Sequence, residues 1–152
     1  MSDFIIRKGE ARDIPSLMNL IYDLAVFEKA PEMVINTKEK LLEDWQNHKS
    51  FDFIVAELDK DIKGISLFYP RYSTWQGRCY YLEDLFVKPE CRGLGMGLAL
   101  LNKTAKTAKE NGANRLDWQV LDWNKSAVEF YENQGAMVEK EWWNCKMVLD
   151  NF

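Results

Sequence analysis

Six residues, Arg92-Gly93-Leu94-Gly95-Met96-Gly97, separate an apolar, strand-like run at 81–87 from a helix-like run at 98–110. Glycines at alternate positions let the backbone turn tightly and expose successive N–H groups, and the helix that follows adds the positive end of its dipole. The spacing therefore predicts a strand, an anion-binding turn and a helix in that order. Arg92 supplies one full positive charge. Two common phosphate loops are excluded. Counting from Gly93 and Gly95 puts Leu98 where G-x-G-x-x-G needs its last glycine, and no Gly-Lys-Ser/Thr follows.

The rest of the chain alternates strands and helices around this turn. Residues 4–7 read as a first strand, and Asp13 is expected to cap a helix whose Ile14, Leu17, Met18, Ile21, Leu24 and Ala25 keep helical spacing. After the break at Ala30-Pro31, Thr37 caps a second helix carrying Leu41, Leu42 and Trp45. Residues 51–58 and 64–69 form an expected hairpin through Asp59-Lys60-Asp61, and 79–87 extends its sheet. A strand at 114–121, a helix capped by Asn124 or Ser126 and ending at Gly135, and a last strand at 142–149 complete the pattern. The order implies a single three-layer α/β domain over residues 1–152 with a mixed sheet.

Composition narrows the partners. The net charge of −4 argues against nucleic acid and anionic membranes and suits a cationic substrate. Six Trp, six Tyr and eight Phe are many for 152 residues, and aromatic faces serve both cores and cation pockets. Cys79, Cys91 and Cys145 are odd in number and match no metal spacing, and His48 is the only histidine. No metal site is expected. The opening Met1-Ser2-Asp3-Phe4 leads into a strand signal with no leader pattern, and no apolar run reaches membrane-spanning length. A soluble, cytoplasmic protein is expected.

The run Arg-x-x-Gly-x-Gly resembles the pyrophosphate-binding loop of the GNAT N-acetyltransferases. The likeness extends through Ala25-Val26-Phe27-Glu28, Tyr81-Leu82-Glu83-Asp84-Leu85-Phe86-Val87 and Trp123-Asn124-Lys125-Ser126-Ala127-Val128-Glu129-Phe130-Tyr131. These motifs are similar to those of the spermidine/spermine (diamine) and thialysine acetyltransferase branch. The resemblance implies a mixed, mostly antiparallel sheet splayed around acetyl-CoA, and commonly a homodimer. Main-chain groups of Leu85, Phe86 and Val87 would pair with the pantetheine arm. Those of Gly93, Leu94, Gly95, Met96, Gly97 and Leu98 would hold the pyrophosphate beside Arg92, and Asn124, Lys125, Ser126 and Ala127 would also touch the coenzyme.

Aminolysis of a thioester needs two proton movements. An amine of pKa ~10 must lose a proton before it attacks, and a thiolate leaves more easily once protonated. The resemblance assigns the first task to Glu83 and the second to Tyr131, with a backbone N–H near Phe86, freed at a strand bulge, for the oxyanion. On a regular strand Glu83 and Asp84 point to opposite faces, which leaves one of them solvated. Phe27, Glu28, Trp75, Glu83, Asp84 and Trp143 are the expected substrate residues, acids and indoles suited to an ammonium. Polyamine-specific members carry an acid where this chain has Ser73, and Arg71 and Arg78 stand in the same segment. A zwitterionic lysine-like amine could use an arginine for its carboxylate, whereas a long polyamine would lose one attraction; the equal alternative is that Arg71 and Arg78 are ordinary exposed charges. Two alternatives remain: acetylation of a protein amine, and a non-catalytic acyl-CoA-binding module.

Overall fold

The computed structural model describes residues 3–152. Met1 and Ser2, where the expected entry into the first strand begins, lie outside them. The chain divides into two compact units, Met1–Trp118 and Gln119–Phe152. The first contains β1 (Ile5–Lys8), α1 (Ile14–Phe27), α2 (Lys38–Gln46), β2 (Asp52–Leu58), β3 (Asp61–Ser73), β4 (Gly77–Val87), α3 (Met96–Glu110) and β5 (Leu116–Asp117). Its strands form one open sheet in the order β1-β2-β3-β4-β5. All neighbours are antiparallel except β4 and β5, so the sheet is mixed and mostly antiparallel.

Helices cover both faces of that sheet. Ile14, Leu17 and Leu20 of α1 and Leu41 of α2 pack on Phe53, Val55, Ile65, Leu67 and Phe86. Alternation along β3 sends the residues between these to the other face, which receives α3. There Gly64 admits the helix closely: a Cβ on it would stand 3.0 Å from Leu100 and 3.1 Å from Met96. Beside it the fully buried Ser66 and Thr104 hydroxyls lie 2.6 Å apart, and Thr104 donates onward to Leu100 O at 2.7 Å.

Asp13 precedes α1 as expected, but its side chain does not cap the helix. The buried carboxylate accepts from Arg7 at 2.7 and 2.9 Å and from the Glu10 N–H at 2.8 Å. Arg7 also donates to Glu57 of β2 at 2.9 Å. Burial pushes the Asp13 carboxyl up, yet these donors hold it below its ordinary value, and the two acids raise Arg7. The residue chosen as a cap thus ties β1 and β2 to the start of α1. Thr37 does cap α2, accepting from Lys40 N at 3.2 Å.

The β2–β3 turn takes positive φ at Asp59 and Lys60, the backbone of a two-residue hairpin, so β3 starts at 61 rather than 64. It also runs on to Ser73. β2 stops pairing at Phe68, so Pro70 lies where β3 has only β4 beside it and a missing N–H breaks no ladder. Leu67 pairs with Asp84 and Phe68 with Leu82, which leaves Glu83 as the extra residue of a bulge. The bulge therefore sits at Glu83, and Phe86 pairs regularly with Ile65. β5 is only two residues of the expected 114–121, matched to Tyr80 and Tyr81. Beyond Tyr81, that edge of β4 has no ladder partner among the described residues.

In the second unit, α4 (Lys125–Asn133) is capped by Asn124, whose side chain accepts from Ala127 N at 3.3 Å. The strand expected at 142–149 is absent. Its apolar residues suit a strand, but none of this segment pairs with another strand, and Trp142, Trp143, Met147, Val148 and Leu149 are all exposed. Propensity without a ladder partner does not make a strand. Among the described residues no helix is long and apolar enough to cross a membrane.

Candidate active site

The glycine turn is built for an anion. Gly93 and Gly95 take φ of +84° and +82°, a region costly for any residue with a Cβ, and Gly95 leads directly into α3. The first intrahelical bond is Ala99 N to Gly95 O. Among the described residues no group accepts from the N–H of Leu94, Gly95, Met96, Gly97 or Leu98. Five donors at the positive end of a 15-residue helix match the oxygens of a pyrophosphate. Arg92 is fixed beside them by donating from Nε to Val87 O at 3.1 Å. Its guanidinium stacks 5.0 Å from the Phe27 ring and 5.5 Å from Phe86. Phe27, expected among the substrate residues, thus braces the arginine of the turn. Leu85, Phe86 and Val87 lie on the part of β4 whose outer edge is open, where main-chain groups remain for an extended ligand.

A second cluster lies on the α1/α2 face. Tyr69 pairs with Tyr81 and Leu67 with Asp84, so these side chains share that face. The bulge brings Glu83 to the same side, where Oε1 accepts from the Tyr69 hydroxyl at 2.8 Å. Adjacent acids on a regular strand would diverge, and here they do not. Burial, then the charges of Glu83 and Glu28, push the half-buried Asp84 carboxyl up to about 7. Burial also raises Glu28, which stands just past the end of α1. Tyr69 is raised by its burial and by Glu83, so its hydroxyl stays a donor. Trp75, in the β3–β4 turn, is fully exposed.

Tyr69 was not among the expected site residues. Its signal was only the alternation that puts Leu67, Tyr69 and Arg71 on one face; its partner follows from the register with β4, which the sequence does not state.

In the second unit, Asn124, Lys125, Ser126 and Ala127 form the entry of α4, and Ser126 donates to Asn124 Oδ1 at 3.3 Å. Tyr131 is half-buried on the same helix, its ring 5.4 Å from that of Phe130. Trp143 is exposed. Among the described residues no cluster of His, Cys, Asp or Glu is placed to hold a metal ion.

The acetyltransferase (GNAT) family model matches residues 15–136. A thialysine N-epsilon-acetyltransferase of Caenorhabditis elegans is 42% identical over 76% of this chain and 72% of its own length. That of Bos taurus is 37% identical over 95% and 92%. Aminoglycoside N-acetyltransferase AAC(6')-Iy, solved in complex with CoA, superposes with a TM-score of 0.79 over 97% of each chain at 15% identity, a likeness of fold. With the family model spanning the strand, the glycine turn and α4, this chain belongs to the acetyltransferase (GNAT) family and is an acetyl-CoA-dependent N-acetyltransferase.

Proposed function

We propose that the enzyme acetylates a primary amine of a small lysine-like, diamine or polyamine substrate, passing the acetyl group directly from acetyl-CoA to nitrogen. The observation that carries this reading is the cluster of Glu28, Glu83 and Asp84, in which burial and mutual repulsion leave Asp84 protonated up to about pH 7. Such a cluster gains from an ammonium and loses from an anion. The thialysine specificity in the names of the relatives supports the same substrate class.

In the proposed mechanism an ammonium group enters between the acids, and Glu83 takes its proton. The Tyr69 hydroxyl, which keeps its proton, holds Glu83 in place by donating to its Oε1. The free amine attacks the thioester carbonyl; a C–N bond forms and the C–S bond breaks. Tyr131 gives its hydroxyl proton to the departing sulfur, and the second proton that the nitrogen sheds as the amide forms returns through solvent to the Tyr131 phenolate. The N–H groups of 94–98 and Arg92 bind the coenzyme's pyrophosphate, and the entry of α4 at Asn124 to Ala127 adds further contacts. Glu28, Asp84, Trp75 and Trp143 select the cation, while Phe27 acts through Arg92.

Residues 1–152 would serve as one catalytic domain, in a homodimer in the cytoplasm. The exposed apolar side chains at 142–149 support a second copy as their cover, and three free cysteines suit a reducing compartment. A panel of amines assayed by release of CoA thiol tests the substrate class. Thialysine, diamines and spermidine are expected to turn over, and activity confined to peptides would overturn the proposal.

A further inference from the structure

Arg71 and Arg78 are indistinguishable by sequence, and the fold gives them different surroundings. Arg78 donates from Nη2 to Asn111 O at 2.6 Å, at the end of α3. Its guanidinium packs so near Gly112 that a Cβ there would come within 2.9 Å. Arg78 is committed to holding a helix end.

Arg71 faces the acid cluster. It pairs in register with Cys79, two positions along β3 from Tyr69, and its guanidinium rests 5.3 Å from the centre of the Tyr81 ring. Tyr81 in turn lies 5.7 Å from Tyr69, whose hydroxyl holds Glu83. One sheet face thus carries carboxylates at one end and a guanidinium at the other. Arg71 is half-exposed, and its ion pair is with Asp117 at 3.5 Å, longer than a hydrogen bond. Both Asp117 oxygens already accept from Arg115, at 2.7 and 3.0 Å. Among the described residues no other acid pairs with Arg71, so its donors remain available to a carboxylate.

The spacing names that carboxylate. Two residues of strand place Arg71 about 7 Å beyond Tyr69. An extended lysine-like chain, six bonds of ordinary length, puts its carboxylate about 7 Å from its terminal nitrogen. We infer that Arg71 is a specificity-determining residue that receives the α-carboxylate of a diamino acid whose terminal amine lies at Glu83, the acid that the Tyr69 hydroxyl holds. This rests on the small-amine reading above and deepens it: the preferred substrate carries a carboxylate opposite its reacting amine.

The test compares thialysine with bis(2-aminoethyl) sulfide, the same molecule without its carboxylate, in the wild type, Arg71→Met and Arg71→Lys. Methionine keeps an unbranched apolar chain against Tyr81, and a melting curve checks that each variant folds. Arg71→Met is expected to raise the KM for thialysine by roughly 10-fold or more, the scale of a lost charge-assisted contact, with kcat nearly unchanged. The KM for the sulfide should stay level or fall, and Arg71→Lys should lie between. Equal changes for both substrates, no change for thialysine, or a wild type that turns over the sulfide but not thialysine would each overturn the assignment of Arg71 while leaving amine acetylation standing. A wild type inactive on every small amine would instead remove the function on which the inference rests.

Discussion

The glycine turn and the acid face bind by opposite means. The turn offers main-chain N–H groups from five consecutive residues, and its requirement on side chains is mainly that Gly93 and Gly95 have none. The acid face is made of side chains from α1, β3 and β4, assembled by sheet register and one bulge. A local backbone site tolerates change in its surroundings and fails when its own dihedrals are forced. A site of converging charges fails when any partner is neutralised, and pH acts on it directly.

The largest effect expected from this contrast is in turnover. Glu83→Gln should lower kcat by about 10²-fold or more and move the activity profile towards higher pH, because solvent must then deprotonate the amine. Acetyl-CoA affinity should change little. Tyr131→Phe, which keeps the ring, should lower turnover on a similar scale. Steady-state kinetics with each substrate varied would read both, and an effect of Glu83→Gln confined to the KM for acetyl-CoA would break the division. Next in size, Gly95→Val places a β-branched residue at a φ of +82°. With a strain of ~1–2 kcal/mol, it should raise the KM for acetyl-CoA roughly 10-fold and leave that for the amine unchanged.

A smaller effect concerns stability. Asp84 titrates at about 7 in the folded chain against 3.8 for a free carboxyl, so the folded state binds the extra proton between those values. Stability therefore falls as pH rises through that window, by at most about 4 kcal/mol, and is restored below it. Asp84→Asn should raise Tm at pH 8 and change it little at pH 4, as thermal melts would show. The smallest effect is that of Tyr69→Phe, which removes one hydrogen bond to Glu83. It should lower kcat about 3- to 10-fold in steady-state assays with the amine varied.

What was legible in the sequence follows the same contrast. The turn at 92–97 and the helix after it were readable because a few neighbouring residues decide a backbone conformation. Glu83 was found, but its place on the same face as Asp84 was not, because alternation predicts divergence and only the pairing of Leu67 and Phe68 with β4 reveals the bulge. Tyr69 was missed because its partner is 14 residues away across a hairpin. Arg71 and Arg78 differ only through what each meets in space. Asp13 was placed at the right helix terminus and given the wrong task, since Arg7 competes for its carboxylate better than a helix N–H does. The strand expected at 142–149 rested on composition, and a strand needs a partner that composition does not supply.

The buried contact between Ser66 and Thr104 works as a keyway. Sliding α3 along the sheet by one turn, about 5.4 Å, would take the Thr104 hydroxyl away from the buried Ser66 hydroxyl and leave Thr104 only its bond to Leu100 O within the helix. Only one seating of the helix fits the slot, and that seating fixes how far its leading end projects past β4. The muzzle of α3 is thus sighted by a peg lodged about two turns behind it.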